Sequence, residues 1–314
     1  MTYFLLRRIA QALLVLLAAF TVSFVLLQVL PGDAILIKFQ GSDMGLSAAQ
    51  IADIRASYGA DIPIWEQYAH ALRNVLTGDF GYSMQEGVPV IEQLRTNLPL
   101  TLRLASLGFL TAILLAAGIA FAASLTGLAW LRNVLQSLPS LFISVPTFWL
   151  GILLIQIVSF RLKLIPVIGP GPWQGLILPT LTLAVPISAP LAQILLRSID
   201  QVALQPFVAV ARAKGATRAR VLWRHVARNA ILPALTMAGI LLGELLAGAV
   251  VTETVFGLNG LGQLTQQAVA SQDAAVLQAI VILSATGFVL INLMVDLLYP
   301  LLDPRLRARP GHSS

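Results

Sequence analysis

The stretch ARAKGATRARVLWRHVARN, residues 211–229, concentrates positive charge: it holds six arginines or lysines and no acidic residue. The sequence on either side of it is mostly apolar. Of the 314 residues of the chain, 57% are hydrophobic and only 11% are charged, and the mean hydropathy is +0.84. A soluble domain carries about 25% charged residues. The composition therefore indicates an all-α polytopic membrane protein in which this basic segment lies outside the bilayer.

Outward from the basic segment, the apolar runs are long enough to cross a bilayer, which takes about 20 residues. The first run is too long for the apolar region of a cleavable signal peptide. Prolines in and beside the third and fourth runs predict kinked helices that pack against their neighbours. The six predicted spans are Ile9–Leu30, Leu98–Leu125, Val134–Ser159, Leu176–Leu196, Ile231–Val255 and Val276–Leu298.

The distribution of arginine and lysine predicts the orientation of the chain, because cytoplasmic loops carry an excess of both. With both termini in the cytoplasm, thirteen of the twenty basic residues fall on the cytoplasmic side, including all six of the basic segment. The calculated pI of about 10.2 is then a signal of topology and gives no support to binding of nucleic acid.

The long outer loop, about residues 31–97, contains two stretches with helix start and stop signals. SAAQIADIRASYG begins at a possible N-cap, Ser47, and ends at Gly59. A second helix is predicted from about Pro63 to Leu76, ending near Gly78. We expect a small folded external cap that is too short to be a substrate-capturing domain.

No catalytic constellation is visible in the sequence. The three histidines show no zinc spacing, there is no Gly-x-Ser-x-Gly motif, and cysteine is absent. The three lysines, Lys38, Lys163 and Lys214, are not followed by Ser or Thr as a P-loop requires. We expect no cofactor, metal or catalytic site on this chain, so energy from ATP has to come from another polypeptide.

Two acidic residues inside the predicted spans are candidates for function, because an intramembrane charge is costly. Glu244 lies near the middle of the fifth span, where it either lines a translocation pathway or makes a hydrogen bond that packs helices. Asp296 lies close to the cytoplasmic end of the sixth span and is interpreted as structural. Gly239, Gly243 and Gly248 favour close packing of the fifth span.

The basic segment itself is predicted to contain a short helix that begins at Thr217 as N-cap. Its arginines at 220, 224 and 228 form one stripe, and Leu222, Trp223 and Val226 mark an apolar face. Such a helix either lies on anionic lipid or docks into a groove on a cytoplasmic protein. Gly215 favours docking, because a tight bend between two helices needs it and a helix lying on lipid does not.

Five motifs in order resemble the first permease subunit of the dipeptide, oligopeptide and nickel ABC importers. They are FLLRRI with LPGD ending at Asp33, LTGDFGYS (76–83) with VPVIEQL, ARAKG to ILP (211–233), VTETVFGLNGLGQL (251–264), and DLLYPLLDPRLR from Asp296. The third resembles the cytoplasmic EAA loop of these permeases. The glutamate that gives that loop its name is absent, as in the peptide and nickel branch.

The resemblance implies a type I ABC importer permease fold with six transmembrane helices and a helical periplasmic insert at 31–97. It implies one permease domain, 1–314, with a cytoplasmic coupling loop at 198–230, in the bacterial inner membrane. The residues expected to couple to the ATPase are Ala211, Lys214, Gly215, Arg218, Arg220, Leu222, Trp223, Arg224, His225, Val226 and Arg228.

The partners that the resemblance implies are a second homologous permease, two ATP-binding cassette subunits that hold ATP and Mg²⁺, a periplasmic or lipid-anchored binding protein, and membrane lipid. Peptides, nickel or a metal chelate are the expected cargo. The alternative is a secondary transporter with Glu244 as the coupling carboxylate, which would need internal symmetry and a coupling-ion site.

Overall fold

A computed structural model describes residues 2–29 and 63–302, and these residues are predominantly helical. An isolated antiparallel bridge joins Tyr82 and Pro89. Within the described residues, two π-helical segments, Ile155–Arg161 and Leu222–Val226, continue the α-helices Thr147–Leu154 and Arg218–Val221. The helices are α1 (Thr2–Val29), α2 (Ile64–Thr77), α3 (Val90–Leu125), α4 (Ala129–Ser144), α5 (Thr147–Leu154), α6 (Gln174–Ala203), α7 (Pro206–Ala213), α8 (Arg218–Val221), α9 (Ala227–Phe256), α10 (Leu261–Ala270) and α11 (Ala274–Leu302).

In the described part of the chain, five stretches of helix are long and apolar enough to cross a membrane, and they correspond to the first, second, fourth, fifth and sixth predicted spans. Most of the helices extend beyond the predicted boundaries. Charged and polar residues at the ends of the spans therefore belong to the same helices as the apolar runs. The five stretches are Leu6–Leu27, Val90–Leu125, Gln174–Ala203, Arg218–Leu245 and Ala274–Met294.

The third predicted span, Val134–Ser159, is bent, so the kink predicted from its prolines is confirmed, and its two arms are separate helices. Ala129–Ser144 and Thr147–Arg161 meet at a bend of 102°. Pro146 disfavours a helical conformation for the residue before it, and Val145 is extended, with φ −93° and ψ 119°. The bent pair counts as the sixth span when its two arms are taken together.

The backbone contacts divide the chain into two compact units. The first unit contains Met1–Pro99 and Asn259–Val289, and the second contains Leu100–Leu258 and Leu290–Ser314. The core of the second unit lies between α3, α6 and α9. Leu183 of α6 occupies the space left by two glycines, because a methyl group on Gly108 or Gly248 would lie 2.8 or 2.9 Å from it. Small residues allow spanning helices to approach closely.

In the first unit, α2 confirms the helix predicted from Pro63 to Leu76. Gly78 ends it in the left-handed conformation, with φ 79°. Tyr68 of α2 packs edge-on against Phe20 and Phe24 of α1 with ring centroids 5.3 Å apart, and its hydroxyl lies 2.9 Å from Thr21 Oγ1. The other predicted helix of the outer loop, SAAQIADIRASYG, lies outside the described residues.

Candidate functional site

The basic segment folds as two short helices joined by a tight turn, and we call residues 206–228 the elbow. Pro206 occupies the first turn of α7, where a missing N–H costs nothing. At the end of α7 the Gly215 N–H donates to Arg212 O at 2.9 Å, and the Ala216 N–H donates to Ala211 O at 3.2 Å. This pair of bonds is a Schellman motif, which requires a left-handed residue. Gly215 has φ 83°, so the bend predicted from the sequence is confirmed.

The second helix of the elbow begins as predicted. Thr217 is the N-cap of α8, and its Oγ1 accepts a hydrogen bond from the Arg220 N–H at 3.3 Å. The helix is not a separate short element, because α8 continues through the π-helical segment Leu222–Val226 into α9. The elbow is thus continuous with a spanning helix. The predicted loop 198–230 is mostly helical, since α6 also extends to Ala203.

The apolar side of the elbow faces the core of the second unit. Leu222 and Val226 are only 5% and 2% exposed, and Val208 and Val221 are also buried. The prediction that Leu222 and Val226 are anchors for a partner protein is therefore corrected: both side chains attach the elbow to its own chain. Trp223 remains 58% exposed, although the centroids of its ring and the Phe121 ring are only 4.5 Å apart.

The opposite side of the elbow exposes unpaired positive charge. Like charges at i and i+4 destabilise a helix slightly, so this arrangement does not contribute to the stability of the isolated chain. Ala211 and His225 are half-buried, and Lys214 and Gly215 are exposed. Within the described residues, no carboxylate forms an ion pair with any of the exposed arginines of this face, which are Arg218, Arg220, Arg224 and Arg228.

An exposed apolar patch at the start of the elbow was not predicted. Leu204 is 86% exposed just before α7, and Phe207 and Val210 are exposed on α7 itself. The predicted coupling residues begin at Ala211, so these residues were not among them, although they lie within the predicted loop 198–230. Their spacing at 207 and 210, with buried Val208 between them, is the signal that identifies the outward face of a helix.

The acidic residues of the spans fall in two different environments. Glu244 is on the exposed side of α9, between buried Leu241 and buried Leu245, so its side chain does not enter the core formed by the described residues. Glu253, which the sequence reasoning did not select, is completely buried nine residues further along α9, and it accepts a hydrogen bond from Thr101 Oγ1 at 2.6 Å. Asp296 belongs to α11.

Within residues 2–29 and 63–302, no three His, Cys, Asp or Glu side chains are grouped so that they would hold a metal ion. The surface of the elbow carries exposed cations and exposed apolar side chains, and it is continuous with a spanning helix.

Comparison with known families gives two matches that together span nearly the whole chain. The model for the binding-protein-dependent transport system inner membrane component matches residues 108–308, and the corresponding N-terminal model matches residues 1–105.

Curated relatives cover the chain almost from end to end. It is 37% identical over 308 residues to the glutathione transport system permease protein GsiC of Salmonella typhi, and 34% identical over 309 residues to GsiC of Escherichia coli K12. Each match covers 98% of this chain and 99% of the relative.

Two solved structures share the fold. An amino acid ABC transporter is 21% identical with a TM-score of 0.51, over 68% of this chain and 94% of the other. An inward-facing MetNI methionine ABC transporter is 18% identical with a TM-score of 0.58, over 67% of this chain and 96% of the other. The predicted fold class, an ABC importer permease, is thereby confirmed.

Proposed function

The chain belongs to the family of binding-protein-dependent transport system inner membrane components, and we propose that its elbow is the surface that docks on the ATPase subunits. The family is one of transport permeases, so the chain is the permease subunit of an ATP-driven importer that depends on a binding protein. The alternative of a secondary transporter has no support in these matches.

The observation that carries the docking proposal is the unpaired, outward-facing charge of the elbow. Arg220, Arg224 and Arg228 are exposed, and burial of Leu222 and Val226 fixes the element that presents them. Phe207 and Val210 add an exposed apolar patch. Interfaces combine apolar anchors with a charged rim, and arginine and aromatic residues are enriched in them. The buried face of the elbow thus attaches it to its own chain, and the exposed face is available for docking.

The continuity of the elbow with α9 supports a mechanical role. A force applied to α8 passes along the π-helical segment Leu222–Val226 into a helix that spans the membrane. π-Helical turns occur frequently at functional sites. When ATP brings two ATPase subunits together, elbows docked on them move too, and the spanning helices follow.

We propose the following assembly and orientation. Two homologous permease chains form the pathway in a bacterial inner membrane, two ATP-binding cassette subunits lie beneath them and hold ATP and Mg²⁺, and a periplasmic or lipid-anchored binding protein delivers the substrate. Both termini and the elbow face the cytoplasm, since most arginines and lysines lie on that side. Catalysis is left to the ATPase subunits.

For the substrate we propose a small peptide of the glutathione class, because the permeases that resemble this chain along its whole length belong to glutathione transport systems. Glu244 is on the exposed side of α9, where it is available to a cationic group such as a peptide amino terminus. A nickel or metal chelate is the second candidate, which the same carboxylate would favour.

The test is Arg224→Glu in the assembled importer, with ATP hydrolysis measured with and without substrate-loaded binding protein. We expect stimulation by substrate to fall at least about tenfold, because a reversed charge at an interface costs several kcal/mol. The matched control is Arg73→Glu, which reverses an exposed charge on α2. Normal stimulation in the Arg224→Glu importer would overturn the docking role.

A further inference from the structure

A cavity of about 440 Å³ lies behind the elbow, within the second unit. It is formed by the end of α3, the start of α4, the end of α6 and the elbow, and part of it is open to solvent. Its volume falls in the range of about 300–1,000 Å³ found for small-molecule sites. Of the exposed arginines of the outward face, Arg218 also lines this cavity, whereas Arg220, Arg224 and Arg228 do not.

The walls of the cavity carry an excess of positive charge. Three arginines and one carboxylate line it: Arg132 from α4, Arg212 and Arg218 from the elbow, and Asp200 from α6. Arg132 Nη2 lies 3.1 Å from Asp200 Oδ1, so that carboxylate is already engaged. Arg212 and Arg218 have no carboxylate partner in the described part of the chain, and two guanidinium charges remain uncompensated.

The side chains on the opposite wall complete a set of donors. The Arg218 side chain extends to the α3–α4 turn, where its Nη1 is 4.0 Å from the position of a methyl group on Gly127. Thr126 Oγ1 in the same turn accepts a hydrogen bond from the Leu128 N–H at 3.2 Å. Thr126 lines the cavity, and its O–H has no acceptor among the described residues, so it is available to donate to a ligand.

We infer that this cavity binds the phosphate group of an anionic ligand, held by Arg212 and Arg218 with Arg132 and the Thr126 hydroxyl. Guanidinium groups match phosphate oxygens in geometry and form strong charge-assisted hydrogen bonds with them. Two sources supply this chemistry at a cytoplasmic surface: the headgroup of an anionic phospholipid, which basic pockets between spanning helices bind, and a free phosphate compound.

This inference rests on the proposed function for its location, because lipid headgroups and cytoplasmic phosphates reach the cavity only if the elbow faces the cytoplasm. A bound phosphate would connect the elbow, through Arg212 and Arg218, to Arg132 at the start of α4. The stiffness of the elbow, and with it the coupling to ATP hydrolysis, would then depend on the anion.

The experiment measures binding by the delipidated full-length chain in neutral detergent, by native mass spectrometry. The three probes are phosphatidylglycerol, zwitterionic phosphatidylcholine, and inorganic phosphate without lipid. The cavity variant is Arg212→Gln with Arg218→Gln. Its matched control, Arg220→Gln with Arg228→Gln, removes the same charge from exposed arginines of the same segment that do not line the cavity.

We expect one saturable phosphatidylglycerol per chain, bound about tenfold or more weakly by the cavity variant and within about twofold of wild type by the control. Asp200→Asn should bind more tightly than wild type, because it removes the carboxylate that competes for Arg132. A gain in affinity does not arise from misfolding. Inorganic phosphate binding with the same variant pattern, in the absence of phosphatidylglycerol binding, would identify a free anion as the ligand.

Equal weakening in the cavity and control variants would overturn the inference, since it would show attraction to general surface charge. Equal binding of phosphatidylcholine, or no binding of either anion, would do the same. So would crosslinking in the whole importer that places an acidic ATPase side chain on Arg218 inside the cavity. Because these measurements use the permease chain alone, their failure leaves the ATPase docking test independent.

Discussion

Two helix–turn–helix connections of the chain share the same backbone motif at the turn. They differ in the burial and hydrogen bonding of the charged side chains around it. In the elbow, the left-handed residue after α7 is Gly215, and Thr217 caps α8. In the first unit, the left-handed residue after α10 is Gln272, whose φ is 55°. There the Asp273 N–H donates to Ala268 O at 2.8 Å and the Gln272 N–H donates to Val269 O at 3.2 Å, which is again a Schellman motif.

The charged groups around the two turns are arranged in opposite ways. Asp273 is buried, and both of its carboxylate oxygens accept hydrogen bonds: Oδ2 from Ser83 Oγ at 2.6 Å and the Gln85 N–H at 3.4 Å, and Oδ1 from the Val276 N–H at 3.4 Å. The arginines of the elbow are exposed and have no such partners in the described residues. A satisfied buried charge contributes to the fold, whereas an exposed unpaired stripe is available to another molecule.

The largest expected effect on stability comes from Asp273→Ala. It leaves the buried Ser83 hydroxyl and the buried Val276 N–H without the acceptor that Asp273 provides, and buried unpaired polar groups cost about 1–3 kcal/mol each. We expect the free energy of unfolding to fall by about 2–4 kcal/mol, measured by thermal unfolding of the purified chain in detergent. Arg224→Ala in the elbow should change it by less than about 0.5 kcal/mol, as exposed substitutions usually do.

The two variants also separate stability from coupling. Arg224→Ala is expected to impair stimulation of the ATPase while the chain melts normally, and Asp273→Asn, which keeps one acceptor oxygen, is expected to melt between wild type and Asp273→Ala. The contrast between the two turns fails if Arg224→Ala destabilises the chain as much as Asp273→Ala does.

Smaller effects on stability, opposite in sign, are expected from substituting the left-handed residue of each turn. Gly215→Ala places a Cβ at φ 83°, where no neighbouring atom obstructs it, so only backbone strain opposes the substitution. That strain costs about 1–2 kcal/mol. Gln272→Gly relieves the same strain. It should raise the free energy of unfolding by less than about 1 kcal/mol, and the melting temperature slightly with it. Equal signs for the two substitutions would contradict the shared geometry of the turns.

Periodicity, helix signals and motif order were enough to predict most of the fold and the position of the elbow. Apolar runs identified the spans because burial in lipid demands about 20 such residues, and Gly215 and Thr217 predicted the turn through local backbone chemistry. These features depend only on residues that are neighbours along the chain, so a single sequence is enough to predict them.

Features that depend on distant residues were not predictable in the same way. Pro146 breaks a span, whereas Pro186 lies within the continuous helix α6, and nothing local distinguishes the two because the surroundings decide whether the freed backbone groups are satisfied. The amphipathic pattern of the elbow showed an apolar face, but the core of the second unit, with Phe121 beside Trp223, determines what covers that face.

The smallest expected effect on stability comes from Thr217, the N-cap of α8. It tests whether this exposed cap stabilises the chain less than the buried Asp273 before α11 does. Thr217→Ala removes one exposed hydrogen bond, which Thr217 Oγ1 accepts from the Arg220 N–H at 3.3 Å. The carboxylate of Asp273, in contrast, accepts three hydrogen bonds. We expect a loss of less than about 1 kcal/mol, confined to faster hydrogen exchange of the amides at the start of α8, with Thr217→Ser indistinguishable from wild type. Because the elbow joins α9 without interruption, a fall in the melting temperature as large as that of Asp273→Ala would mean that the cap also stabilises the spanning helix. The elbow would then be part of the folded core, and its exposed charge would no longer separate function from stability.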